Sequence, residues 1–227
     1  MPALERRLVV TCEHGGNRVP RRYLALFAGA KALLASHRGW DPGALDIARR
    51  LARAWHAPLL AATTTRLLVD PNRSPHNPAV FSARTRGLPR DQRDALLADH
   101  HRPHWDRVRA AVGAGAGSVL HLAVHSFTPV LHGVERGFGI GILYDPMRRS
   151  ERALALAWQR RLRDALPGVG VRRNAPYRGD ADGLATALRR EFPARRYRGI
   201  ELELNQRVIA SVAQRRALAA VLTTLLH

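Results

Sequence analysis

Cysteine is almost missing from this chain: Cys12 is the one thiol in 227 residues. An intramolecular disulfide is therefore impossible, and a structural zinc site built on cysteine is excluded. Any metal must be held by His, Asp or Glu. Long apolar runs are missing too. None approaches the ~20 residues that span a bilayer, and "MPALERRLVV" carries too short a hydrophobic stretch for a secretory signal. A cytoplasmic protein without a membrane partner is expected. Lysine is nearly absent, with Lys31 the only one among 37 basic residues.

What is abundant is arginine. A formal charge of +19 would ordinarily point to nucleic acid, because clustered cations neutralise phosphates and release counterions. Here the arginines are scattered from Arg6 to Arg216, without a long basic tract or interleaved aromatic platforms. Solvated Arg-rich helix faces account for that pattern, and specific nucleic-acid binding is not expected. Weak association with polyanions stays compatible with the charge. The apolar fraction of 46% supplies a core for one domain over residues 1–227.

Strand and helix patterns alternate along the chain, as in a sheet covered by helices on both faces. A first strand covers about Leu8 to Thr11, and "RRYLALFAGAKALLAS" reads as a helix that stops before the "HRGWDPG" turn. "ALDIARRLARAWH" places Leu45, Ala48, Leu51, Ala52 and Trp55 on one side, the pattern of an amphipathic helix. "APLLAATTTRLLVD" supplies one or two strands. "PNRSPHNP" is loop, and "LPRDQRDALLADHHRPHWDRVRAAV" is a long helix kinked or interrupted at Pro103. "SVLHLAVHS" and "FGIGILYD" are strands joined by the loop "FTPVLHGVERG". A helix from about Glu151 to Leu166, a short strand near Gly168 to Arg172, the helix "LATALRREF", the strand "YRGIELELN" and a last helix to Leu226 complete the order.

Ligands of α/β sheets sit beyond the carboxyl ends of strands. Four places meet that test: Glu13 and His14, Asp70 to Arg73, His125 and Ser126, and Glu201 to Asn205. Imidazoles and carboxylates are the ligands of a catalytic zinc, which takes three from the protein and leaves a position for water. His121 shares a strand face with His125 but would lie deep in the sheet, so it reads as structural. Glu201 and Glu203 fall on one strand face; either a cation offsets them, or they form the solvated face of an edge strand.

The motifs "TCEHGGNRVP", "GWDPGALDIA", "RLLVDPNRSPHNP", "LAVHSFTPVLHGVERGFGIGILYD", "APYRGDADG" and "GIELELNQ" together resemble the N-formylglutamate amidohydrolases, in order over nearly the whole chain. The resemblance implies a fold similar to the zinc exopeptidases and aspartoacylase. That fold is α/β and phosphorylase/hydrolase-like: a three-layer α/β/α sandwich around a central mixed, mostly parallel sheet. It also implies a Zn2+-dependent enzyme that cleaves an N-formyl or N-acyl amino acid through metal-activated water, with a small carboxylate-bearing substrate.

Carried over by position, His14 and His125 look like metal ligands. The related carboxypeptidases use a His-x-x-Glu pair, whereas the residue three after His14 is Asn17. Asp41 in "GWDPG" matches an acidic position of the family and is the expected third ligand, with Glu13 as the alternative, less favoured because adjacent residues on an extended segment point apart. Glu203 matches the general base and Glu201 a partner behind it. Asn72 and Arg73 resemble the pair that binds the substrate carboxylate and polarises its carbonyl, with Asp70 orienting this loop or its arginine. Arg136, Tyr177 and Arg178 are further expected substrate contacts, and Gly15 and Gly16 mark a tight turn beside the metal. Two other readings stand against this one. A cysteine or serine hydrolase would use Cys12 or Ser126, though neither lies in a G-x-S-x-G elbow. A noncatalytic basic protein of the same fold would bind nucleic acid or another polyanion.

Overall fold

A computed structural model describes residues 7–226. Its strands are β1 (Arg7–Cys12), β2 (Leu59–Ala61), β3 (Val119–Phe127), a small hairpin of β4 (Val130–Leu131) and β5 (Val134–Glu135), β6 (Ile140–Leu143), β7 (Val171–Arg173) and β8 (Tyr197–Asn205). All but the hairpin join one sheet in the order β2-β1-β3-β8-β6-β7. Four of its neighbour pairs are parallel and only β6 with β8 is antiparallel. The sheet is thus mixed and mostly parallel, as expected. β8 is interior, between β3 and β6, so the edge-strand reading of Glu201 and Glu203 is ruled out.

The helices are α1 (Lys31–Ala35), α2 (Ala44–Ala54), α3 (Arg90–Leu96), α4 (Arg102–Gly113), α5 (Arg149–Ala165), α6 (Leu184–Glu191) and α7 (Val212–Thr223). Strand alternation sorts the sheet into two unlike faces. On one, Val10 and Cys12, Leu120, Leu122 and Val124, and Ile200, Leu202 and Leu204 pack with Ile47, Leu51, Trp158, Leu162, Leu218 and Leu222 of α2, α5 and α7. Each fully buried Leu or Ile there contributes about 1.5–3 kcal/mol. On the other face, Val9, Val119 and Tyr197 meet Trp105 and Val108 of α4 and Leu184 and Leu188 of α6. Further along that second face the buried residues turn polar: Thr11, Glu13, His121, His125 and Glu203.

Several elements differ from the sequence reading, each for a local reason. The helix expected over "RRYLALFAGAKALLAS" divides into a 3-10 stretch, Arg21–Phe27, and α1, because Gly29 takes φ +68° between them. The long helix is interrupted ahead of Pro103 by a π-helical stretch, Leu97–His101. Proline has no N–H to give the carbonyl four residues back, and the ladder widens there. The apolar stripe of α2 is rotated: Ala44 and Ile47 are fully buried, while Leu45 and Trp55 are half-buried. After β2 the chain leaves the sheet, and Thr64 pairs with Arg18 in an isolated bridge outside the named strands. "RLLV" is therefore a turn rather than a strand, with Leu67, Leu68 and Val69 buried beside Phe27, Leu96 and Leu97. Among the described residues no helix is long and apolar enough to cross a membrane.

Candidate active site

The polar end of the second sheet face opens into a cavity of about 400 Å³. Glu13 and His14 follow the end of β1, β3 carries His125 near its end, and β8 brings Glu201 and Glu203, with His125 directly opposite Glu203 in register. The loop before α2 adds Asp41, tied down by a bond from its N–H to the carbonyl of His14. Gly16 is outside the left-handed region, so the tight-turn reading needs a different cause. A Cβ there would stand 2.6 Å from the carbonyl oxygen of Thr63, and only glycine lets the two backbones approach.

His14, Asp41 and His125, all buried, offer ligand atoms that lie within 4.8 Å of one another. Oδ2 of Asp41 is 3.4 Å from Nδ1 of His14 and 3.0 Å from Nδ1 of His125. The outer nitrogens face carboxylates: Nε2 of His14 meets Oδ1 of Asp70 at 2.7 Å, and Nε2 of His125 meets Oε2 of Glu13 at 3.1 Å. Glu13, weighed as an alternative ligand, therefore stands behind His125 rather than in the cradle.

The tautomer of His14 follows from its partners. Asp70 only accepts, so Nε2 carries a proton; in the neutral ring Nδ1 then accepts from Arg66, whose Nη1 at 3.1 Å is nearer than Oδ2 of Asp41 at 3.4 Å. Arg66 also donates from Nε and Nη2 to Oδ2 of Asp70, at 3.1 and 2.6 Å. The sequence reading missed Arg66. The residue lies in "TRLLV", which reads as a strand, and only the four-residue spacing to Asp70 hints at the ion pair. Asp70 does orient its loop, accepting from the Asn72 N–H at 2.9 Å, but the arginine it holds is Arg66, not Arg73.

Charge in the site is strongly coupled. Burial opposes ionisation of Asp41, yet His14 and His125 outweigh it and hold the carboxyl below the usual range. Asp70 is likewise held low, by Arg66 and His14 against burial. For Glu203 burial dominates, aided by Asp41 and Glu201, and pushes the carboxyl up to about 8.

The other expected residues differ in how they are engaged. Arg73 lines the cavity and donates once, from Nη1 to the Asp182 carbonyl at 2.9 Å, while its own carbonyl is 2.8 Å from Nε2 of His101. Asn72 spends its side-chain oxygen on the Leu184 N–H at the start of α6 and turns Nδ2 to within 3.5 Å of Nε2 of His125. Arg136 stacks over Tyr177 at the rim, 5.4 Å from the ring centre. Arg178 is paired with Asp180 through two bonds of 2.9 and 2.7 Å. His121 is a structural residue, bonded to Thr11 and Tyr197 at 2.8 and 2.7 Å. Cys12 is buried in the apolar core, where desolvation pushes the thiol up, and Ser126 gives its hydroxyl to the Pro42 carbonyl at 3.0 Å. Neither is placed as a nucleophile.

Fold and site together define an α/β protein with a buried His-Asp-His cradle at the carboxyl ends of its parallel strands. A family profile described as N-formylglutamate amidohydrolase matches residues 6–210, and the chain belongs to that family of amide hydrolases. Among solved structures it is similar to gene product Atu2144 from Agrobacterium tumefaciens, with 31% identity, 98% of this chain and 89% of that chain covered, and a TM-score of 0.84. Weaker likeness extends to the succinylglutamate desuccinylase from Chromobacterium violaceum, at 17% identity, 97% and 60% coverage and a TM-score of 0.44. Murine aminoacylase 3 stands at 18% identity, 99% and 66% coverage and 0.40. Likeness at that level carries no argument about activity. No curated protein sequence matches the chain.

Proposed function

We propose that this protein is a zinc-dependent amidohydrolase that removes a formyl or other acyl group from an N-acyl amino acid of the N-formylglutamate kind. One observation carries the reading: the His14, Asp41 and His125 cradle opens on the same cavity as Glu203, Asn72 and Arg73. The donors fit zinc, being two imidazole nitrogens and one carboxylate oxygen. Their surroundings fit as well, because both histidines have Nε2 against a carboxylate, an arrangement that orients a ligating ring and raises its basicity. Zinc held there would supply Lewis acidity, acidifying water and polarising an acyl oxygen.

The chain's own groups divide the remaining work. Glu203 takes the proton from the attacking water and returns it to the leaving nitrogen. With its pKa raised to about 8 in the metal-free site, it lies close to neutrality, and a nearby cation favours its charged form. Arg73 keeps donors for the substrate carboxylate, for which a guanidinium fork is well shaped. Asn72, braced by α6, lines the same cavity with its Nδ2 on the His125 side. Metal analysis joined to a screen of N-formyl and N-acetyl amino acids tests the reading. Bound zinc with cleavage of at least one such substrate is expected; a zinc-loaded protein that cleaves none contradicts it.

A further inference from the structure

Each histidine of the cradle has its Nε2 against a carboxylate, and each carboxylate faces a nitrogen group on its far side. On one side Arg66 holds Asp70, and Asp70 holds Nε2 of His14. On the other, Glu13 presents Oε2 to Nε2 of His125 at 3.1 Å, and its second oxygen, Oε1, faces Nε2 of His104 at 3.8 Å. His104 comes from α4, which covers the polar face of the sheet, and is 2% exposed.

His104 sits in the inward stripe of α4 with Trp105, Val108 and Val112. Neither ring nitrogen has a hydrogen-bond partner among the described residues, and both oxygens of Glu13 lack one of good geometry. A buried imidazole without hydrogen bonds is costly, and a leucine or phenylalanine would fill this stripe without that cost. What the imidazole provides that they would not is a polar neighbour for the otherwise unsupported oxygen of Glu13.

We infer that His104 is a positioning residue: it holds Glu13 against Nε2 of His125, so that Nδ1 of His125 stays turned towards Asp41. The effect on metal affinity rests on the zinc reading above, whereas the effect on the His125 ring does not.

Two readouts test it in His104→Phe, with His104→Ala in its place if the larger ring does not pack. In the metal-free protein, the ring-nitrogen resonances of His125 by NMR should shift in His104→Phe and move back towards wild type in His104→Gln, whose amide can donate to Glu13. Zinc affinity, by chelator competition, should fall roughly 10–100-fold in His104→Phe and in Glu13→Gln, the range for loss of an outer partner. The double variant should be no weaker than Glu13→Gln alone, because the first residue acts through the second. An unchanged His125 resonance in His104→Phe, or strictly additive losses, overturns the inference. If wild type takes up no zinc, the zinc reading fails and the resonance alone decides on His104.

Discussion

Arg66 and His14 are joined at the atom that His14 offers to the cradle: Nη1 donates to Nδ1 across 3.1 Å. With Nε2 committed to Asp70, Nδ1 has a single lone pair, and a hydrogen bond from Arg66 and ligation of a metal exclude one another. The guanidinium stays anchored to Asp70 through Nε and Nη2 in either case.

Arg66→Met loses that competing bond, worth about tenfold, but also the two bonds that hold Asp70 against Nε2 of His14, worth roughly 10–100-fold as outer support, so its zinc affinity should fall by up to about tenfold. Its metal-free form should melt at lower temperature, since Asp70 and Asp41 lose their nearest guanidinium. Chelator competition and calorimetry on the two proteins check this; tighter zinc affinity in the variant contradicts it.

Glu203→Gln keeps the shape of the site and removes the proton carrier. Zinc content should be retained, while kcat falls by roughly two or more orders of magnitude, the usual contribution of a general base. Near-normal turnover in a zinc-bearing variant would refute the role.

The same residue gives the metal-free protein a pH signature. Burial raises the folded-state pKa of Glu203 to about 8, above the ~4.3 of an unfolded glutamate, so the folded form holds a proton that the unfolded form releases between these values. Its contribution is fully present below about pH 4.3 and is lost as pH rises through 8. Glu203→Gln has no such proton to lose. The stability of wild type relative to this variant, from urea midpoints without metal, should therefore decline from about pH 5 to about pH 9. A constant difference would mean that the carboxyl is not raised.

Arg73→Met should raise KM for a carboxylate-bearing substrate by roughly 10–100-fold, matching loss of a charge-assisted hydrogen bond, and should barely affect an amide-capped analogue. Comparing the two substrates on both proteins checks the assignment. An equal loss on both would point instead to collapse of the loop that Arg73 anchors through Asp182.

The legible parts of this protein were those whose signal is local. β3 announces itself as an apolar run and β8 by its alternation, which put His121 with His125 on one strand face and Glu201 with Glu203 on another; that the two faces coincide comes from the register of β3 with β8. His14 and Asp41 were reachable because each sits just past a strand or in a proline-marked turn, and because six motifs resemble one family. Contacts between segments distant in sequence were not legible. Glu13 and His104 are separated by 91 positions; their meeting depends on how α4 crosses the sheet, which no periodicity encodes. Arg66 was lost for another reason. "TTTRLLVD" has strand composition, but the sheet already ends at β2, and the apolar residues are drawn into a separate cluster with Phe27 and Leu96.

The central claim is that His14, Asp41 and His125 form the zinc cradle, with Glu13 outside it. The most direct measurement is zinc stoichiometry by mass spectrometry on wild type, Asp41→Ala and Glu13→Ala, each saturated with zinc and then desalted. The account predicts about one zinc per chain in wild type, loss in Asp41→Ala, and a weakened but detectable site in Glu13→Ala. Retention in Asp41→Ala together with loss in Glu13→Ala, or no zinc in the wild-type protein, would contradict it.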